Sequence, residues 1–352
     1  MLSFAPMPGA VRVPKPRIPR IRMRTLLLPS FFAAAALLAP GDTLAFKVEP
    51  KTKLTKTFDT KLEMHSTEMS ITFDGQDAHG GMEGPKITFT DEEHVEVVDE
   101  YGAVADGRPT KLVRSFEKLS GKGMQNVEPP EGMEGGEAEE ETHDKSSELE
   151  GKKVSLTWKD DEWTAAWPEG VKGDDALLEK LDGDLDFIGF LPTKSVADGD
   201  SWSVDATLFV KVMSPGGELH LESKKSDEEG GDEDDKIGKT IEENLGGKAT
   251  GTYKGTREEG GVTVAVIEIK ADLESKGTID EDDAKMAVDA GLELEGEVLW
   301  DVKAGRLHSF KLAGKMNFGM EASRSMEMGD EKHEFTQKVR FEGDVEYKAT
   351  VE

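Results

Sequence analysis

The sequence contains no cysteine, which excludes disulfide bonds, zinc ribbons, iron–sulfur clusters and thiol catalysis. It also has few basic residues: 44 Lys and Arg stand against 73 Asp and Glu, for a formal net charge of -29. Binding to nucleic acid needs a basic face that neutralises phosphates. The composition therefore argues against a nucleic-acid partner, and no motif in the chain calls for a cofactor.

A long transmembrane run is also missing. The apolar run Leu26–Leu38 is about 13 residues long and contains Pro29 and Ser30, whereas a bilayer-spanning helix needs about 20. The order of Arg24, this run and the small residues around Ala45 is typical of a secretory signal. We expect residues 1–45 to be a cleaved signal peptide, with Met23 as an alternative start. The mature protein would then be periplasmic or extracellular, without an integral membrane segment.

Beyond residue 46 the chain alternates apolar and polar residues with a period of two, as in strands with one buried face. From Phe335 to Val351 every even position is polar and most odd positions are apolar. The same pattern covers Ala284–Val302 and Phe310–Met320, which Val302–Arg306 joins as a turn. Residues 46–352 are predicted to form a single β-rich domain with one large curved antiparallel sheet. This half-barrel or barrel would have about 10–12 strands and two or three short helices, and a two-sheet sandwich is the alternative.

Five segments add detail to this prediction. Gly261–Ile269 is apolar on both faces, which predicts a central strand. Phe58–Phe73 suggests an early hairpin, and Trp202–Val212 suggests a further strand. Asp174–Leu181 and Asp235–Leu245 predict the short helices that close the concave side of the sheet.

Two acidic segments interrupt the alternation, at about residues 124–150 and 224–235. The first is rich in Glu and Gly and has no aromatic residue, so it offers little apolar surface to offset the entropy of ordering. Both are predicted to be disordered insertions within the single domain.

The best candidates for metal ligands are three alternating carboxylates, Asp182, Asp184 and Asp186, which resemble the opening of a calcium loop. Phe187 stands where an EF-hand needs glycine, so only a weaker site is conceivable there. The acidic run Asp280–Asp283 is a second such candidate, and a solvated acidic turn is the alternative for both. Divalent cations on acidic loops are therefore a candidate partner, although no metal site is assigned.

No catalytic residue is assigned, and the ligand-binding residues are left open. His333 begins a near-match to a zinc-protease motif, but Gln337 stands in place of the second histidine. Ser115 and Lys118 have the spacing of penicillin-binding enzymes, without the partner motifs. Three tryptophans lie close together, and stacking on a sugar or base is the alternative to hairpin packing: Trp158, Trp163 and Trp167.

The most distinctive segment combines a proline stop, a tight turn and a strand start: Leu191, Pro192, Val196, Gly199, Asp200, Ser201 and Trp202. A second motif lies in the late hairpin: Asp301, Gly305, Arg306 and Leu307. In these two motifs the chain resembles a family of uncharacterised secreted bacterial proteins that are similar to the periplasmic lipoprotein-carrier superfold. The resemblance implies a curved antiparallel sheet over about residues 50–350, lined with apolar residues and plugged by short helices. It implies no catalytic residues.

Three functional hypotheses follow. The first is a non-enzymatic envelope protein that holds a lipid, an acyl chain or another apolar ligand in a half-barrel. The second is a structural or interaction protein with a packed core and an acidic, cation-tolerant surface. The third is an enzyme that acts on envelope glycan.

Overall fold

The computed structural model describes residues 41–77, 84–130, 138–223, 231–281, 284–328 and 331–352. Most of the expected signal peptide lies outside these residues, as do the central part of the first acidic segment and residues 224–230.

The described residues form fourteen strands of a single sheet and two α-helices. The strands are β1 (Lys53–Phe73), β2 (Gln76–Asp77), β3 (Lys86–Ala105), β4 (Arg108–Glu128), β5 (Glu139–Ser146), β6 (Lys153–Lys159), β7 (Glu162–Ala166), β8 (Ser201–Val204), β9 (Glu222–Ser223), β10 (Gly246–Glu259), β11 (Val262–Glu281), β12 (Ala284–Asp301), β13 (Arg306–Met328) and β14 (Glu331–Val351). The helices are α1 (Leu208–Met213) and α2 (Gly231–Glu243), and two 3₁₀ turns cover Asp175–Leu178 and Ile188–Phe190.

The sheet follows the order β7-β6-β4-β3-β1-β14-β13-β12-β11-β10-β8, and its neighbouring strands are antiparallel. This confirms the predicted fold class, with more strands than expected. The sheet is open, because β7 and β8 end the path without pairing to each other in the described residues. The predicted central strand is also confirmed: β11 lies between β10 and β12, and Val264 to Ile267 are buried on both faces.

Alternation gives the sheet an apolar inner face and a charged outer face. Register places Phe58, Ala349, Phe310, Val298 and Ile267 in one row across five strands, and all are at most 1% exposed. The outer face instead carries cross-strand ion pairs, which contribute little individually in solvent. The predicted hairpin turn at Val302–Arg306 is confirmed between β12 and β13.

The early hairpin expected at Phe58–Phe73 is wrong, because these residues form the single strand β1. Its register with β14 shifts between Ser66 and Glu68, where Thr67 is the additional residue of a β-bulge. A bulge places two residues opposite one, so the inward-facing positions change from even to odd. Met64 and Met69 therefore face the same side, although their parity suggested two separate strands.

The strand expected at Trp202–Val212 is also wrong beyond Val204. The Asp205 side chain accepts a hydrogen bond from the backbone N–H of Thr207, which turns the chain. Helix α1 follows and buries Phe209 and Val212, which are three residues apart on one helical face. The apolar residues at 208–212 fit both the two-residue period of a strand and the 3.6-residue period of a helix. Their spacing therefore did not distinguish a strand from a helix.

The disorder expected at about 124–150 and 224–235 is corrected in the described parts of both segments. Residues 124–128 belong to β4, and Glu139–Ser146 pair with β4 as β5. The segment then buries Leu149 completely, and the Glu150 carboxylate accepts a hydrogen bond from the backbone N–H of Leu119. Residues 231–235 begin α2. Composition alone missed the main-chain pairing that β4 provides.

Because Leu149 is fully buried, Leu149→Ala is expected to lower the free energy of unfolding by about 2–5 kcal/mol. The control is Glu148→Ala, whose side chain is 81% exposed and which should change stability by no more than about 0.5 kcal/mol. Urea denaturation followed by circular dichroism measures both. Equal, small effects on stability would instead support the prediction of a disordered insertion.

The residues before the expected cleavage site are part of the domain. Gly41, the first described residue, belongs to the compact unit, and Leu44 and Phe46 are each 5% exposed within the core. Asp42 pairs through its backbone with Val196 and accepts a hydrogen bond from the Tyr253 hydroxyl. Burial and this bond raise the pKa of Tyr253. Residues 42–46 therefore pack with the sheet, and the cleavage expected after Ala45 stays a prediction.

A variant that begins at Phe46 is expected to be less stable than one that begins at Pro40, by about 3–5 kcal/mol, because it loses the Leu44 side chain and the Asp42 hydrogen bonds. Chemical denaturation of the two purified proteins makes the comparison. Identical midpoints would show that residues 40–45 contribute nothing to the fold.

Candidate functional site: the inner face of the sheet

A plug segment, residues 174–221, packs on the half of the inner face that contains the buried row from Phe58 to Ile267. We call this the near half and the other the distal half. It contains both 3₁₀ turns and α1. Of the two predicted helices, Asp174–Leu181 forms only the 3₁₀ turn Asp175–Leu178, and Asp235–Leu245 corresponds to α2. The ring of Phe187 lies 5.6–6.2 Å from the rings of Phe58, Phe190, Phe310 and Tyr347. Phe190 and Phe310 are fully buried. This half of the face is a packed core.

Four buried charged side chains and one tyrosine hold the plug on the sheet, and we call them the plug clamp: Lys56, Asp99, Tyr101, Arg114 and Asp186. Arg114 on β4 binds Asp99 on β3 through two hydrogen bonds of 2.8 and 3.0 Å. The Lys56 ammonium lies 3.0 Å from Asp99 and 2.9 Å from Asp186. The Tyr101 hydroxyl donates to Asp186 at 2.7 Å. Two cations and two anions make the clamp electrically neutral.

The clamp also binds the backbone of the plug. Arg114 donates to the carbonyl oxygens of Asp182 and Gly183 at 2.7 and 3.1 Å. Phe187 follows Asp186 with φ of 50°, in the left-handed region, where a residue with a Cβ is strained. Polar anchoring therefore fixes the position at which the Phe187 ring enters the core.

The three carboxylates predicted as candidate metal ligands do not converge. Asp182 accepts from the backbone N–H of Asp184 and pairs with Lys211 at 2.7 Å. Asp186 belongs to the plug clamp, and burial raises the pKa of Asp184, which lines a small cleft beside Trp163. Within the described ranges, no group of three or more His, Asp or Glu side chains is arranged to hold a metal ion.

The other sequence candidates occupy separate places. His333 pairs with Asp74 at 2.7 Å and stacks on Phe73 near a tip of the sheet. Ser115 and Lys118 lie on strand β4 rather than on a helix. Trp158 and Trp163 pack against each other across the β6–β7 hairpin at 5.5 Å, and Trp167 lies 5.9 Å from the Lys152 ammonium.

The two sequence motifs form turns that support the core. Gly199 has φ of 89° and donates to the carbonyl oxygen of Tyr253, and the Trp202 indole donates to the carbonyl oxygen of Phe190. In the late hairpin, Gly305 has φ of 63° and Asp301 accepts hydrogen bonds within the turn. These contacts account for the motif residues as structural elements.

Asp99 is the centre of the plug clamp, so Asp99→Asn is expected to lower the free energy of unfolding by about 3–5 kcal/mol at neutral pH. The amide keeps the shape but leaves two buried cations with one anion. Glu100→Gln is the matched control, since Glu100 forms an exposed pair with Lys53 and its loss should cost at most about 1 kcal/mol.

The same pair of proteins tests the electrostatics. Burial raises the pKa of Asp99, but Arg114 and Lys56 outweigh it and hold the pKa below its usual range. A carboxyl with a depressed folded-state pKa stabilises above its unfolded pKa of about 3.9, and this contribution disappears as the pH falls through the folded-state pKa. Urea titrations measure the free energy of unfolding of wild type and of Asp99→Asn. The difference between these two free energies should therefore become smaller below about pH 3.9. A difference that stays constant in acid would contradict the assignment.

The distal half of the inner face has a different character. Beyond the plug its apolar residues are buried or half-buried, and none belongs to the packed core around the plug. We call this surface the distal face: Met64, Met69, Ile71, Phe89, Met286, Val288, Met316, Phe318, Met320, Val339 and Phe341. Register places Phe89, Met64, Met316 and Leu292 in one row, and Met69, Val339, Met320 and Val288 in another. The distal face is therefore a continuous apolar surface across five strands.

Methionine and phenylalanine dominate this surface. Met64, Met69, Met286, Met316 and Met320 are five of the 14 methionines in the chain. Unbranched thioether side chains adapt their shape to what they contact, which suits a binding surface more than a fixed core. The Phe89 and Phe341 rings meet edge to face at 5.5 Å in the same surface.

Helix α2 lies along one flank of the distal face. The Ser275 hydroxyl donates to the carbonyl oxygen of Ile241 at 2.8 Å. A Cβ at Gly277 would come within 2.2 Å of the Thr240 side chain, so glycine permits this close approach.

The opposite flank carries charged residues that we call the boundary cluster: Asp91, Glu93 and Lys145. Lys145 on β5 lies 2.6 Å from Asp91 and 3.3 Å from Glu93, both on β3. It reaches them across β4 because Gly121 has no side chain, and a Cβ there would lie 3.2 Å from Lys145. Burial lowers the pKa of Lys145, but Asp91 and Glu93 raise it further, so the ammonium stays charged. Sequence reasoning missed this cluster, although glycine within a strand signals a close approach.

The outer face also contains a groove of 670 Å³, whose lining alternates lysines with carboxylates across β1, β3, β13 and β14. On the same face Arg340 forms two hydrogen bonds to Asp289 across Gly319, whose missing side chain leaves the space. Its lining also includes Leu312, Ala313 and Tyr347.

No family model matches the chain, and no curated protein sequence matches it significantly. A comparison with solved structures finds an outer membrane channel from Pseudomonas putida F1 with 8% sequence identity and a TM-score of 0.17. That match covers 87% of this chain and 99% of the channel. With so low a score, nothing about function is inferred from it. The family resemblance drawn from the two sequence motifs stays a prediction.

Proposed function

We propose that the protein is a non-enzymatic binding protein that holds an apolar chain, such as a lipid acyl chain, on the distal face. The observation that carries this proposal is the continuous Met- and Phe-rich surface beyond the plug. A long ligand would lie along the strands beside α2, with one end at the boundary cluster. Burial of apolar surface would supply the affinity, at about 25 cal/mol for each Å² removed from water.

The extent of the plug supports this choice of surface. Strands of 21 residues, such as β1 and β14, are about 70 Å long. The plug covers the near half completely, as its fully buried aromatic rings show. On the distal face Met64, Val288 and Val339 are buried, and the other apolar side chains are half-buried. A continuous apolar surface that the packed elements leave partly accessible is a candidate binding site.

A structural or interaction protein with a packed core is the second candidate. It is favoured by the near half, where the plug clamp and the aromatic rings leave no room for a ligand. On this alternative the distal face would bind no small apolar molecule.

The proposed setting is the cell envelope, after export. It rests on the leader-like sequence Arg24 to Ala45 and stays a prediction, as does the binding of divalent cations by acidic loops. In the part of the chain that the structure describes, neither helix has the length and hydropathy to cross a bilayer.

Diphenylhexatriene, a neutral rod-shaped fluorescent probe, tests the proposal. Wild-type protein is expected to bind it saturably with a rise in fluorescence. The double variant Met316→Gln/Met320→Gln should weaken binding by about tenfold or more, because each amide loses hydrogen bonds to water when the ligand covers it.

The control is Lys315→Gln/Glu321→Gln, which changes the neighbouring outer-face residues of the same strand and should leave the probe affinity unchanged. Circular dichroism confirms that both variants are folded. Absence of saturable binding to wild type, or equal loss in both variants, would favour the structural alternative.

A further inference from the structure

We infer that the boundary cluster is the headgroup site for the ligand of the distal face, and that it selects an amphiphile with a cationic amine headgroup. This inference rests on the proposed function and adds the chemical class of the ligand. It concerns Asp91, Glu93 and Lys145.

The cluster directly adjoins the distal face. Phe89 and Asp91 are two residues apart on β3, so their side chains lie on the same face about 7 Å apart. Asp91 pairs in register with Leu62, next to Met64 of the distal face. An apolar chain lying against Phe89 and Phe341 would therefore place its polar end beside Asp91.

The positive and negative charges of the cluster do not balance. One ammonium, on Lys145, faces two carboxylates, so the three side chains carry a net charge of -1. In the described part of the chain, the Oδ1 atom of Asp91 is buried and has no hydrogen-bond partner. A buried carboxylate oxygen without a donor is costly, and a second cation or N–H donor would relieve that cost.

Among the described residues of β5, Lys145 is the one Lys or Arg side chain beside the two carboxylates. On β5 the neighbouring inward-facing residues are His143, whose ring lies over Gly123, and the exposed Glu141. A phosphate or carboxylate headgroup would meet two carboxylates and one lysine that is already paired. Charge complementarity therefore favours an ammonium group at the end of the chain.

Three forms of one probe separate the headgroup from the apolar rod: neutral diphenylhexatriene, its trimethylammonium derivative and its propionic acid derivative. At low ionic strength, wild type is expected to bind the cationic probe at least about tenfold more tightly than the anionic probe. Glu93→Gln should reduce this ratio to about threefold or less, because the cluster becomes neutral. Affinity for the neutral probe should not change, which shows that the variant remains folded.

The matched control is Glu63→Gln, an exposed outer-face position on β1 with the same change in net charge. For this variant the ratio of the affinities for the cationic and the anionic probe should remain that of wild type. Equal narrowing of the ratio in both variants would assign the preference to the overall negative charge of the protein and overturn the inference. A wild type that binds all three probes equally would overturn the headgroup site and leave the proposed function intact. Failure of the neutral probe to bind would instead overturn the proposed function.

Discussion

The structure depends on one constraint: a single sheet with strands of up to 23 residues has an apolar inner face that must be covered. Apolar surface left in water costs free energy in proportion to its area. The plug and the residues from Asp42 to Val48 cover the near half, and α2 covers one flank of the distal half. The strands are longer than the elements that pack against them. The distal face is the part of the sheet for which the described chain supplies no complete cover.

The near half is held by charge as well as by apolar contact, and the two have different effects. Apolar burial is strong but non-directional, so the aromatic rings alone would allow several positions of the plug. The plug clamp allows only a position in which Asp186 meets Lys56 and Tyr101, and in which Arg114 reaches two plug carbonyl oxygens. Buried ion pairs add little stability compared with apolar residues of similar volume. We interpret the clamp as the feature that fixes the plug in one register.

The sequence predicted the sheet because alternation is a local signal, repeated over long strands such as β12, β13 and β14. It failed where a local feature changed the period. The bulge at Thr67 made one strand look like a hairpin, and the turn at Asp205 ended a strand that spacing alone extended. The acidic β5 was missed because its order comes from main-chain pairing with β4. The plug clamp and the boundary cluster were missed because they join distant segments, 130 positions apart between Lys56 and Asp186 and 54 between Asp91 and Lys145, which no spacing rule connects.

The two ion clusters of the inner face differ in a way that bears on function. In the plug clamp two cations balance two anions, and all four side chains are at most 1% exposed. In the boundary cluster one cation faces two anions, and the side chains are 19–30% exposed. A neutral, buried cluster exerts little electrostatic attraction on a further charged group. An unbalanced, partly open cluster at the end of an apolar surface attracts a group of opposite charge, and the apolar surface determines what that group is attached to. On the proposed function, the position of the second cluster would therefore place the charged group and the apolar chain of one ligand in a single site.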